Sequence, residues 1–255
     1  MVAEQHRMIA VDGPAASGKS TVARTLAKAL AMRYINSGAL YRAIALLFLR
    51  ESIHPEDPTA VRSALDRTQI EIDEVGARYY LGGEEITSTL WTREVTQMAS
   101  VVAKLSSVRE KVNAELRRMA KGSECVIEGR DIGSVVFPEA TFKVYLEASP
   151  EERARRRQKD FEAMGAGASL EEIGRELAER DQQDSTRAVA PLRPPEGAIV
   201  CNSTGMTPEQ VVDHLLALIR GNPGWVETGR SKTGPSRIDG EGANGTDPKS
   251  GRSGR

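Results

Sequence analysis

The sequence predicts an α/β fold in which helices cover a parallel sheet, and three observations carry that reading. Short apolar runs of strand type, "MIAV", "ECVIEG", "FKVYLEA" and "AIVCN", recur along the chain. Helical patterns at 18–31, 38–50, 94–121, 150–187 and 208–220 alternate with them. Each parallel strand can then return across one face of the sheet through a helix. The third observation is the stretch "DGPAASGKST", which joins the first strand run to the first helical pattern.

That stretch contains "GPAASGKS", Gly13 to Ser20, which fits the pattern G-x-x-x-x-G-K-[ST]. Gly13 and Gly18 let the backbone curl so that successive N–H groups face phosphate oxygens. The helix starting near Gly18 adds the positive end of its dipole. Lys19 is placed to reach the β- and γ-phosphates, and the Ser20 hydroxyl to hold Mg²⁺. Gly13, Pro14, Ala15, Ala16, Ser17, Gly18, Lys19, Ser20 and Thr21 therefore form a candidate nucleoside triphosphate site.

Further along, residues 62–92 read as a β-rich insert: "QIEID", "ARYYL", the turn "GG" and "EEIT". After the strand "ECVIEG" comes "EGRDIGSVVFP", charged and glycine-bearing. The loop beyond a strand's carboxyl end is where open α/β sheets bind ligands. Arg153, Arg155, Arg156 and Arg157 then crowd one helical segment, followed by "EAMGAGAS". Planar guanidinium groups suit bidentate phosphate contacts and developing transition-state charge. The last 33 residues, 223–255, hold eight of the 23 glycines and only Trp225, Val226 and Ile238 as large apolar side chains. They cannot bury enough surface to offset their ordering entropy. The expected domain is therefore 1–222, followed by a flexible low-complexity tail, 223–255, whose removal leaves stability and activity unchanged.

Composition excludes several classes. With 35 Lys+Arg against 36 Asp+Glu, the net charge of −1 argues against nucleic-acid binding by bulk charge, and any phosphate site must be local. Cys125 and Cys201 sit inside apolar runs and read as buried, reduced strand thiols. His6, His54 and His214 are scattered and form no metal cluster. The longest apolar run, "AIALLFL", is too short to span a bilayer. "MVAEQHR" lacks the apolar segment of a secretory signal, so the expected location is the cytoplasm, without a membrane partner. A GTP-dependent switch would need a guanine-reading N-K-x-D segment, and no Asn-Lys pair occurs. An ATP-driven motor would need a second domain, for which the chain has no room.

Together, "IAVDGPAASGKST", "NSGALYRA", "EGRDIGSVVFPEA", "ERDQQDSTRAVAPL" and the β-rich insert resemble the bacterial-type cytidylate kinases. The resemblance runs from about Met8 to Arg220 and excludes the tail. It implies a P-loop α/β/α fold, an acceptor-nucleotide region near 36–105 and a helical lid near 153–168. The implied reaction moves the γ-phosphoryl group of ATP, with Mg²⁺, to CMP or dCMP in a monomeric enzyme. Ser37, Arg42 and Arg130 would hold the CMP phosphate, while Ser100, Arg109, Asp131 and Arg187 would meet the cytosine. Arg180 and Asp184 would contact the sugar and neighbouring phosphate, and Arg153 and Arg157 would belong to the lid over ATP. Lys19, Arg130, Arg153 and Arg157 would be the catalytic cations. Three positions depart from many relatives: Asn36 and Glu128 stand where Asp is common, and Ala16 where Gly is frequent. Ala16 fits without strain only if its φ is negative. Alternatives are a kinase of another small acceptor such as UMP, which should lack "RDQQDSTRAVAPL", and a non-enzymatic ATP-binding regulator.

Overall fold

In the computed structural model, residues 6–73, 76–163, 167–187, 190–222 and 225 are described. The first strand, β1 (Met8–Asp12), becomes the middle of a five-stranded parallel sheet. It lies between β6 (Cys125–Glu128) and β7 (Phe142–Glu147), with Ile9 opposite Val126 on one side and Phe142 on the other. β2 (Arg33–Asn36) and β8 (Ile199–Asn202) form the two edges, giving the order β2-β6-β1-β7-β8. Both faces are covered, which is why the central strands read as unbroken apolar runs.

Alternate residues of each strand face opposite ways, so two apolar cores form. Ile9, Val11, Val126 and Val144 meet Val22 and Leu26 of α1 (Lys19–Ala29) and Leu215 and Ile219 of α8 (Pro208–Arg220). On the other face, Ala10, Ile35 and Ile127 pack with α2 (Ser37–Arg50), α4 (Arg93–Val102) and α5 (Ser106–Ala120). A third, small cluster joins α6 (Pro150–Ala163) to α7 (Leu170–Ser185) through Phe161, Ile173 and Leu177. Cys125 and Cys201 are buried free thiols, as expected. No described helix is long and apolar enough to cross a membrane.

Several boundaries differ from the sequence expectation. The edge strand β2, "RYIN", is too short and too polar at its ends to show as a strand run. The helical pattern 94–121 is broken between α4 and α5, and the pattern 150–187 between α6 and α7. Within the latter break, 164–166 lie outside the described residues, as do 226–255 of the expected tail. The first six residues of the expected β insert, 62–67, are instead the end of a further helix, α3 (Pro58–Arg67). Asp57 starts it by accepting from the N–H groups of Thr59 and Ala60, both at 3.0 Å, and Pro58 opens its first turn. The insert then follows as β3 (Ile70–Ile72), β4 (Tyr79–Leu81) and β5 (Glu84–Glu85), an antiparallel sheet. Its tight turn is Gly82-Gly83, with φ of +57° and +86°, the left-handed pair that a two-residue hairpin needs.

Trp225 corrects the boundary drawn at 222. It is buried in the core beneath α1 and α8, and the Arg7 guanidinium lies 4.5 Å from its ring centroid. The folded unit runs to Trp225. Burial of such a side chain contributes about 2 kcal/mol. A chain ending at Asn222 should therefore melt about 5 °C below the full-length protein, whereas one ending at Trp225 should keep its midpoint. Differential scanning calorimetry of the two truncations distinguishes these outcomes.

Candidate active site

The carboxyl ends of β1, β2 and β6 open on one cavity of 650 Å³. Beyond β1, the loop from Gly13 to Gly18 turns into α1. Gly13 has φ of +148°, and a Cβ there would lie 2.0 Å from the Leu146 carbonyl oxygen, so only glycine fits. Ala16 has φ of +58°. That is the left-handed region, so alanine is held here against a cost of about 1 kcal/mol, contrary to the strain-free case. Lys19 is buried at the head of α1, with its Nζ 2.5 Å from the Pro14 carbonyl oxygen. Burial, reinforced by Arg130, pushes its ammonium well below the usual lysine range.

Asp12, at the end of β1, never reaches the cavity. Its two oxygens accept from the N–H groups of Ile132 (2.8 Å) and Gly133 (2.7 Å), the start of a π-helical turn spanning Ile132–Val136. The segment Gly129–Asp131 that precedes this turn is thereby tied to the strand that carries the phosphate loop. At the end of β2, the Asn36 side chain caps α2 by accepting from the Ala39 N–H at 3.1 Å. Its amide donates to the Tyr34 hydroxyl at 3.3 Å, and Tyr34 donates to Glu128. Asn36 and Glu128 thus work as one hydrogen-bonded chain rather than as two carboxylates.

Across the cavity, charge is arranged in pairs. Arg109 of α5 and Asp131 form a buried ion pair. Arg130 donates to Asp184 at 3.1 Å, and Arg187 binds the other oxygen of the same carboxylate. Burial alone would raise Asp184, but Arg130, Arg187 and Arg180 hold it below the usual carboxylate range. Burial raises Asp131 in spite of Arg109 and Arg187. Arg42 and Arg180 have no carboxylate within ion-pair distance among the described residues. Burial, with neighbouring arginines, pushes them down to about 9 and about 10. The cavity wall carries nine cationic and five anionic side chains, although the whole chain has a net charge of −1. Such a surplus, with Lys19, Arg42 and Arg180 buried in it, calls for an anion.

Ala15, Ala16, Ser17, Gly18, Lys19, Ser20 and Thr21 line this cavity. So do Ser37, Arg42, Ser100, Arg109, Arg130, Asp131, Arg157, Arg180, Asp184 and Arg187. Gly13 and Pro14 shape the loop from outside it. Arg153 does not line the cavity: it is a buried residue of α6, paired with Asp181 and donating to the Ala15 carbonyl at 3.3 Å. The cavity arginine beside Arg157 is Arg156, which sequence reading left unassigned. It donates to the Ser17 carbonyl at 3.1 Å and to the Ser203 hydroxyl at 3.0 Å and carbonyl at 2.7 Å, tying the phosphate loop to the segment after β8. Among four clustered arginines, only packing distinguishes these directions.

The role of Asp12 gives a pH signature. Burial raises its carboxyl from 3.8 to about 6, so the folded protein binds a proton that the unfolded chain has lost in that window. Stability owed to this group therefore falls as pH rises between those values and is constant above them. Asp12→Asn removes the titration, so its urea midpoint should gain on the parent's as pH is raised from 3.8 to about 6. A constant gap across that range would show that Asp12 titrates elsewhere.

The family model for cytidylate kinase matches residues 9–221. The chain is 44% identical over 214 residues to a cytidylate kinase from Caldanaerobacter subterraneus, covering 84% of this chain and 95% of that one. It is 41% identical over 220 residues to a cytidylate kinase from Mycobacterium leprae, covering 86% and 98%. It also matches, at 43% over 217 residues, part of a bifunctional pantoate ligase/cytidylate kinase from Prochlorococcus marinus, covering 84% of this chain and 43% of that one. A phosphate loop facing paired arginines and carboxylates, and a match across nearly all of the folded unit, lead to one statement: this chain belongs to the cytidylate kinase family.

Proposed function

We propose that the protein transfers the γ-phosphoryl group of ATP to the 5′-phosphate of CMP or dCMP, giving ADP and the nucleoside diphosphate. The observation that carries this reading is a single cavity with a phosphate loop at one end, paired Arg and Asp side chains at the other, and surplus positive charge between. Lys19 and the N–H groups at the head of α1 hold the donor phosphates. Ser37, Arg42 and Arg130 hold the acceptor phosphate. Arg109, Asp131, Arg187 and Ser100 enclose the base, and Arg180 and Asp184 stand between base and phosphates.

Among the described residues no three metal-binding side chains cluster. This suits Mg²⁺, which keeps several waters and binds through substrate phosphates with few protein ligands. The exposed Ser20 hydroxyl at the cavity wall would hold it there, where it would neutralise phosphate charge. Catalysis by the chain's own groups is positioning and electrostatics. Lys19, Arg130 and Arg157 place fixed positive charge around the transferred group. No general base is needed, because the acceptor is already a phosphate dianion. Arg153 contributes by fixing the base of α6 against the phosphate loop.

A coupled ADP-release assay with CMP, dCMP, UMP, AMP or no acceptor tests the reading and its rivals. Lys19→Ala should lower kcat by about 10²–10³ and leave CMP affinity unchanged by calorimetry. CMP should be preferred over UMP by roughly 10² or more in kcat/KM. Arg109 and Arg187 only donate, matching cytosine N3 and O2, and ionised Asp131 only accepts, matching the N4 amino group. Asp131→Ala should narrow that preference, chiefly by weakening CMP. Equal loss with both substrates in steady-state kinetics would remove Asp131 from base recognition.

A further inference from the structure

Of the arginines around the acceptor end, Arg109, Arg130 and Arg187 each have a carboxylate partner, but Arg42 and Arg180 have none among the described residues, and of these two Arg42 lies against an aromatic ring. Its guanidinium donates to the Gly38 carbonyl at 3.1 Å, its buried Nε has no partner among the described residues, and its Cζ lies over the Trp91 ring, 4.8 Å from the centroid. Trp91 is a large apolar side chain that the fold leaves 38% exposed, and it lines the same cavity. Its backbone is nevertheless fixed. It ends a 3₁₀ turn, Thr89–Trp91, whose Leu90 is fully buried, and Thr92 caps α4 by accepting from the Val95 N–H at 3.3 Å. The β insert leads into this turn, and Arg50 of α2 clamps it by an ion pair of 2.8 Å to Glu84.

The geometry of a guanidinium gives this contact a use. Its N–H donors lie in the plane, whereas an aromatic ring engages the face. A carboxylate partner would occupy those in-plane donors and would have to be displaced by an incoming phosphate. An indole over the guanidinium holds the plane and leaves available the donors that do not bond Gly38. We propose that Trp91 is a positioning residue for the acceptor phosphate, fixing the Arg42 guanidinium by stacking so that its N–H edge faces the phosphate subsite. This rests on the reading of Arg42 as an acceptor-phosphate ligand. Trp91 touches no reacting atom and acts through Arg42.

The test compares Trp91→Leu, which removes the ring, with Trp91→Phe, which keeps one. Trp91→Leu should raise KM for CMP about tenfold, while KM for ATP and the unfolding midpoint stay at the wild-type values. Trp91→Phe should recover most of that loss. Cytidine, which has no phosphate, should bind wild type and Trp91→Leu equally by calorimetry. An unchanged KM for CMP in Trp91→Leu overturns the proposal. So does equal weakening of CMP and cytidine, which would make Trp91 a base platform, or a lowered midpoint with both KM values raised. Inorganic phosphate, titrated into wild type and Trp91→Leu, tests the clamp whichever nucleotide is the acceptor. Weaker binding to the variant is expected, and equal binding overturns the proposal. Absence of CMP turnover by the wild-type protein would instead overturn the assignment of the acceptor.

Discussion

The constraint on which the site depends is a surplus of positive charge on the wall of one cavity. Nine cationic side chains converge on a wall that offers five carboxylates, in a protein whose overall charge is close to neutral. Left alone, these cations would repel one another and lose hydration, and the lowered affinities of Lys19, Arg42 and Arg180 for their protons record that cost. The molecule contains the repulsion by sharing its few carboxylates. Asp184 serves both Arg130 and Arg187, and Asp131 serves Arg109. What stays unpaired lies around Lys19, Arg42 and Arg180, between the phosphate loop and the acceptor end. In the proposed reaction two sets of substrate phosphates would supply the missing negative charge.

Holding so many like charges in register requires a scaffold that does not yield. The central strand supplies it by two routes from one end. Its backbone continues into the phosphate loop, and its last side chain, Asp12, bonds the start of the turn that follows Arg130 and Asp131. Donor and acceptor ends of the cavity are thereby referenced to the same strand. A buried carboxylate with two backbone donors and, among the described residues, no cation at hydrogen-bonding distance is an expensive way to join two loops, as its raised pKa indicates. The arrangement trades stability for position. Ala16, held at positive φ within the loop, is a second instance of the same exchange.

Much of this was legible in the sequence because the informative residues lie at fixed offsets from strand ends. Gly13, Gly18, Lys19 and Ser20 are read from spacing alone, and the arginines after β6 and in α7 follow from the motifs that carry the family resemblance. What was not legible depends on direction and packing. Nothing in "EERARRRQ" distinguishes Arg153, turned inward to Asp181, from Arg156, turned to Ser17 and Ser203. Trp225 looked isolated in a polar tail because its partners, Arg7 and the cleft beside α1 and α8, are distant in sequence. Ala16 required a backbone angle that composition does not report.

The placement of Arg153 also changes how the α6–α7 unit can work. Thirty and eighteen buried apolar side chains form the two main cores among the described residues, but only five join α6 and α7 to the phosphate loop. So small a cluster gives the unit the least resistance to local opening. Its base, however, is pinned: Arg153 bonds the Ala148 and Ala15 carbonyls and pairs with Asp181. One turn further on, Arg157 stacks on Phe161, with Asp160 4.0 Å away, at the cavity wall. Arginines one turn apart, which the sequence suggests as a matched pair over the nucleotide, have different surroundings: Arg153 is held by Asp181 and the Ala15 carbonyl, and Arg157 lies at the cavity wall beside Phe161.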